Sequence, residues 1–363
     1  MFLIIYIFFM TTIQIPVPQS LDLPSALNFS ITLGKLEIAD NFIFDFAKTK
    51  NVEPFPMLLA SSEIQRLVEK FPESKMMCTN FKHMTYAGHM GFFRAFGLEF
   101  GKAPGEAKGS ERYIPMMLFN CENLIQEAAR KGIEVGDEVE GESKHMAAML
   151  CGSNSGHVFD TLSYSVREII RNVIEHSNAM MFGICAQYWP SKNRVEVAIF
   201  DRGIGIRKSL QSNPHLDVSD DKAAINYALM PAVSGKAFKG SRKKQRGHWA
   251  NSGFGLYMTS RICRNGGTFF IASGETGMLL TTKREGKRYF NCLFSGTAIR
   301  MVVRTDQIAD LKDTLETYRN EGYSIQKRYK EIVSIDPSSA SLMLSEDFDL
   351  SVWEKILSKI KGL

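Results

Sequence analysis

Hydrophobic positions recur along this chain with two periods, and the changes of period divide it. Residues 29–39 (FSITLGKLEIA) and 41–47 (NFIFDFA) carry the alternation of short strands, and after Pro54 and Pro56 the stretch from Met57 to Phe71 takes helical spacing. SKMMCTNF at 74–81 is a further buried-strand candidate, and Tyr86 to Leu98 is a short helix closed by Gly97. This β-then-α pattern predicts an α/β domain over residues 11–120. Residues 101–112 (GKAPGEAKGSER) make an exposed loop within it. Helical spacing returns from Glu122 to Lys131 and from Glu142 to Leu150, with an acidic loop from Gly132 to Gly141 between them. A second α/β domain is expected over 121–305. After Asp306 the polar, helical DLKDTLETYRNEGYSIQKRYKEIV and EDFDLSVWEKILSKIKGL predict a C-terminal helical appendage over 306–363.

Composition narrows the class. A length of 363 residues exceeds one compact domain, and 44% hydrophobic with 23% charged residues excludes a disordered or membrane-embedded chain. The apolar start MFLIIYIFFM covers about half of the roughly 20 residues a membrane-spanning helix needs. It has neither a basic leader nor a small-residue cleavage site, so residues 1–10 read as an apolar extension with Met10 as an alternative start. Six scattered cysteines with no CxxC pair point to free thiols in a reducing cytoplasm. The net charge of +5 is small, and much of it sits between Lys236 and Arg246, which leaves nucleic acid as a secondary candidate partner.

Three stretches carry chemistry. In SYSVREIIRNVIEHS, Val166, Ile169, Ile170, Val173 and Ile174 form one helical face, while Glu168 and Asn172 are neighbours off it. A carboxylate and an amide so placed suit water activation and ligation of a hard cation, although a solvated helix face has the same pattern. RVEVAIFDRGIGI is a buried strand ending in Asp201, Gly203 and Gly205, where a carboxylate can accept from an exocyclic amine beside unhindered backbone. A glycine-rich hairpin is the plain alternative. In NSGFGLYMTSRICRNGG, Gly253 and Gly255 precede an amphipathic helix containing Leu256, an anion-binding arrangement. About 45 residues separate the last two stretches and read as one long loop, carrying Lys236, Lys239, Arg242, Lys243, Lys244 and Arg246. Neither the dinucleotide fingerprint nor a GxxxxGK[ST] loop is present.

Taken in order, these stretches resemble the N, G1 and G2 boxes of the GHKL superfamily of ATPases (gyrase, Hsp90, histidine kinase, MutL). GGTFFIASG at 266–274 and GTAIRMVV at 296–303 resemble the strands that follow. The resemblance covers about residues 155–304 and implies a Bergerat-type α/β sandwich with a mixed sheet, binding ATP and Mg2+. Position by position it implies Glu168 as the water-activating base, Asn172 as the magnesium ligand and Asp201 as the adenine-reading carboxylate. Gly203 and Gly205 would lie beside the base, Gly253, Gly255 and Leu256 at the phosphates, Thr297 near the adenine, and Lys236 or Lys239 on phosphate. The ExxxNxxxH spacing that ends at His176 is similar to the anti-sigma-factor and stand-alone kinase branch. The first domain resembles STAS-like domains, on PMLLASSEIQRLVEK, a strand and GHMGFFRAFGL.

Function within that superfamily must come from the flanks. His145 and His157 are poor phosphoacceptors by context, and about 59 residues after Arg304 disfavour the clamp ATPases, which need a further domain there. The expectation is a cytoplasmic ATP-binding regulatory protein, a slow ATPase or a serine/threonine kinase, with an unidentified protein partner or a second copy of itself. A nucleotide-gated interaction module without turnover and a nucleic-acid-associated defence ATPase are the alternatives.

Overall fold

The computed structural model describes residues 10–236, 253–282 and 286–335. The apolar start, Lys239, the basic residues from Arg242 to Arg246 and the segment 346–363 lie outside the described residues. The chain is a mixed α/β protein that divides into two compact units, Met1–Ala107 and Lys108–Leu363.

The first unit contains β1 (Thr12–Pro16), β2 (Ser20–Leu21), α1 (Leu23–Gly34), β3 (Asn41–Asp45), β4 (Asn51–Val52), α2 (Pro54–Lys70), β5 (Lys75–Thr79) and α3 (Thr85–His89). Strands β1, β3 and β5 form a parallel sheet in that order, and β2 pairs with β4, also parallel. Phe42, Phe44, Phe46, Phe55, Phe92 and Phe93 fill its core. One expectation is overturned here. FSITLGKLEIA does not form a strand, because Asp22 caps a helix that runs through it, with its carboxylate accepting from the Ser25 N–H at 3.0 Å and Pro24 in the first turn. The cap and burial of Leu27, Phe29 and Leu33 outweigh β-branched propensity.

The second unit runs β6 (Tyr113–Asn120), α4 (Cys121–Lys131), α5 (Val135–Cys151), α6 (His157–Asn172), β7 (Met181–Trp189), β8 (Arg194–Asp201), α7 (Gly205–Leu210), α8 (Asp221–Ala228), α9 (Gly255–Arg264), β9 (Thr268–Leu280), β10 (Lys287–Arg304) and α10 (Leu311–Ile335). Its five-stranded sheet has the order β6-β7-β8-β10-β9. Strand β6, assigned from sequence to the first domain, pairs with β7 in this sheet, and the division between units falls at 107/108 instead of 120/121. The sheet is antiparallel at every pairing, where a mixed one was expected. Strands β8 and β9 do run the same way, but β10 returns between them and separates them. Two further expectations fail. The acidic loop is largely helical, since α5 begins at Val135 and buries Gly136, Glu138 and Val139. The long loop before Gly253 contains α7 and α8, the latter capped by Asp220 on the Ala223 N–H at 2.7 Å.

Val195, Val197 and Ile199 of β8 share one face of the sheet with Ile184, Ile299 and Ile271, and α6 and α9 contribute Ile169, Ile170 and Met258 to the same core. The C-terminal region is helical, as α10. Among the described residues no helix is long and apolar enough to cross a membrane. All six cysteines are free thiols. Ile184, fully buried at the centre of the sheet, is a direct check on this core. Ile184→Ala is expected to lower unfolding free energy by about 2–5 kcal/mol in urea titration, and an unchanged midpoint would contradict the packing.

Candidate functional site

The described site starts where a helix stops being α-helical. After Asn172, α6 continues as a π-helical turn, Val173–Ser177, which ends at Asn178 with φ of 52°. Such turns widen a helix and occur at functional sites. This one presents Asn172, Val173, His176 and Ser177 toward the end of β8. The Ser177 carbonyl accepts from the Ile204 N–H at 2.8 Å. A Cβ at residue 203 would overlap that carbonyl, so glycine is required there for backbone approach. Gly203 therefore does not line the cleft beside a ligand, as expected from sequence; it lets the chain after Asp201 seat against the π turn.

Asp201 ends β8 with Thr297 of β10 as its register partner. Opposite, α9 begins at Gly255, after Gly253 at φ of 69°. These elements enclose a cleft with about 820 Å³ of space free of protein atoms, counting the part open to solvent. Asn172, Asp201, Gly205, Gly253, Gly255, Leu256 and Thr297 all line it. Sequence reasoning placed those seven at the site; it did not assign to it Ser177, Ser209, Ser234 or the apolar wall of Ile169, Val173, Ile199, Ile271 and Ile299. Ser177 directly follows the ExxxNxxxH spacing and was open to that signal. The isoleucines were indistinguishable from ordinary core.

Two other predicted residues stand just outside the lining. Glu168 is buried one turn before Asn172, with Oε1 accepting from the Arg167 guanidinium at 2.9 Å. Its Oε2 fills the space that a Cβ on Gly255 would take, so the carboxylate abuts the first residue of α9. Lys236 is exposed, and its ammonium donates to the Glu175 carbonyl on the π turn.

Electrostatics separate Asp201, which is buried, from His176, which is half-buried. Burial pushes Asp201 up to about 6, opposed by hydrogen bonds from Gly203, whose N–H lies 2.8 Å from Oδ1, and from Thr297. Burial lowers His176 to about 4, with Lys236 and Arg171 acting in the same direction and Glu175 against, so the imidazole is neutral at pH 7. The cleft thus offers a buried carboxylate acceptor, a neutral imidazole, an amide, apolar walls for a flat ring, and the positive end of a ten-residue helix for an anion. Among the described residues, no group of three or more His, Cys, Asp and Glu side chains converges to hold a metal.

Against known proteins, no family model matches the chain and no curated protein matches it. The site therefore rests on its own geometry.

The Asp201 shift has a testable sign. Its pKa is higher folded than unfolded, so its contribution to stability is fully present below about 3.8 and is lost as pH rises through about 6. Asp201→Asn removes the buried charge while keeping an acceptor. It is expected to stabilise the ligand-free protein by on the order of 3 kcal/mol at pH 7.5 and hardly at all at pH 3.5, read by urea unfolding at both. An equal effect at the two pH values would contradict the assigned cause.

Proposed function

We propose that the second unit is a GHKL-type ATP-binding unit, and that the protein is a regulatory ATP-binding protein that hydrolyses ATP slowly or transfers phosphate to a protein. One observation carries this reading. Asn172, Asp201 and Thr297 meet Gly205, Gly253 and Gly255 in a single cleft although they come from motifs spread over more than a hundred residues. The six free thiols support the expected cytoplasmic setting. The parallel sheet of the first unit supports its reading as a STAS-like signal-receiving unit.

The residues divide the work. Asp201 accepts from the exocyclic amine of adenine, and the isoleucine wall takes the ring faces. The N–H groups at the start of α9 face the phosphates, where the helix dipole favours negative charge. The Asn172 amide oxygen would hold Mg2+ beside the phosphates, where the ion would neutralise charge on the phosphate oxygens. The bound Mg-ATP supplies a phosphoanhydride. Glu168, beside Gly255, is the candidate base for a water or hydroxyl nucleophile.

The contact of Glu168 with Arg167 favours a second reading, a nucleotide-gated interaction module with negligible turnover, because Oε1 already accepts a hydrogen bond from the guanidinium at 2.9 Å. Incubation with γ-labelled ATP and magnesium separates the two. Wild type is expected to release phosphate or label a protein. Glu168→Ala is expected to lose at least a hundredfold in rate while still binding ATP, and Asp201→Asn to lose binding. Binding without either product would favour the module, and no binding at all would remove the ATP reading.

A further inference from the structure

Helix α10 contributes no residue to the cleft lining, yet it is seated on both chain segments that border it. Its buried stripe includes Gly322 and Ile325, with Tyr329 half-buried in line with them. Gly322 lies inside a 25-residue helix, where glycine is the poorest choice after proline. The reason is close approach. A Cβ at 322 would come within 2.6 Å of Phe254 Cε1, 3.0 Å of Pro231 Cβ and 3.2 Å of Tyr257 Cε1.

Those neighbours bracket the site. Phe254 stands between Gly253 and Gly255, which both line the cleft, and Pro231 precedes Ala232, which leads into the lining residues Val233 and Ser234. The two segments are tied to each other, since the Ala232 N–H donates to the Gly253 carbonyl at 3.0 Å. Further contacts hold α10 in place. Tyr323 packs edge-on to Phe254 with ring centres 5.1 Å apart, Glu321 pairs with Arg261 of α9 at 2.7 Å, and the Tyr329 hydroxyl donates to the Tyr227 hydroxyl of α8 at 3.4 Å. The next α8 residue, Ala228, also lines the cleft.

We propose that α10 is coupled to the nucleotide cleft. Occupancy of the cleft and the seating of α10 on Phe254 and Pro231 favour each other, and Gly322 is a positioning residue for the Gly253–Gly255 turn. The inference rests on the ATP reading of the cleft. Coupling between two sites is reciprocal, so nucleotide tightens α10 and displacement of α10 weakens nucleotide binding by the same factor. A protein that grips α10 thereby alters the affinity of the cleft, which gives the appendage a regulatory use.

The test uses the full chain. Calorimetric titration with Mg-ATP is run on wild type, Gly322→Ala, Phe254→Leu and the double variant, alongside thermal unfolding and hydrogen exchange of residues 311–327 with and without Mg-ATP. In wild type, nucleotide is expected to slow exchange in α10 severalfold. Gly322→Ala is expected to weaken binding about tenfold despite the better helix former, and Phe254→Leu in that background to restore most of the affinity, because it removes the ring edge that the new methyl meets. A role confined to folding would shift the unfolding temperature without this loss and rescue. Unchanged α10 exchange on binding, affinity of Gly322→Ala within twofold of wild type, or loss without rescue would each overturn the coupling. The exchange measurement on wild type decides the matter even if Gly322→Ala does not fold. Failure of wild type to bind ATP would instead remove the reading of the cleft, and the coupling with it.

Discussion

The described site depends on one backbone contact, the approach of residues 203 and 204 to the carbonyl of Ser177. The hydrogen bond from the Ile204 N–H at 2.8 Å and the absent side chain of Gly203 hold the end of β8 against the π turn that follows α6. Asn172 and His176 are on one side of that contact and Asp201 on the other. A side chain at 203 would push them apart, and the cleft would lose its present arrangement. Asp201 itself is 3% exposed, a position that raises its pKa to about 6. It changes protonation near pH 6, and a ligand that donates a hydrogen bond to it favours the ionised form.

Much of this was legible in the sequence. The helix with Glu168 and Asn172, the strand ending in Asp201, and the glycines before α9 are each weak patterns that become readable in their order along the chain, and the structure brings the lining residues among them to one place. What failed was context. FSITLGKLEIA has the composition of strands, but Asp22 caps it as a helix. The antiparallel character of the second sheet depends on β10 returning between β8 and β9, which no periodicity reports. α7 and α8 are short, and the glycines and cations around them hid their burial of Ile206, Ala224 and Ile225. Gly203 illustrates a related point: in this structure it packs against the Ser177 carbonyl outside the cleft lining. Sequence shows that a glycine is needed, but not whether a ligand or the protein's own backbone fills the space.

Under the proposed reading, the pairing of Arg167 with Glu168 and the seating of α10 both suit regulation better than rapid turnover. The guanidinium restrains the candidate base, and α10 holds the turn that faces the phosphates in the proposed complex. A protein that reports its nucleotide state to a partner needs slow chemistry and a mechanical connection between cleft and surface. This arrangement supplies candidates for both.

The most direct measurement is calorimetric titration of the full chain with Mg-ATP, at pH 6 and pH 8, in pairs of buffers with different ionisation enthalpies. The account predicts binding at both pH values, with net proton release at pH 6 and less at pH 8, because a hydrogen bond donated by the adenine amine favours the ionised form of Asp201. Absence of binding, or binding at pH 6 without proton release, would contradict it.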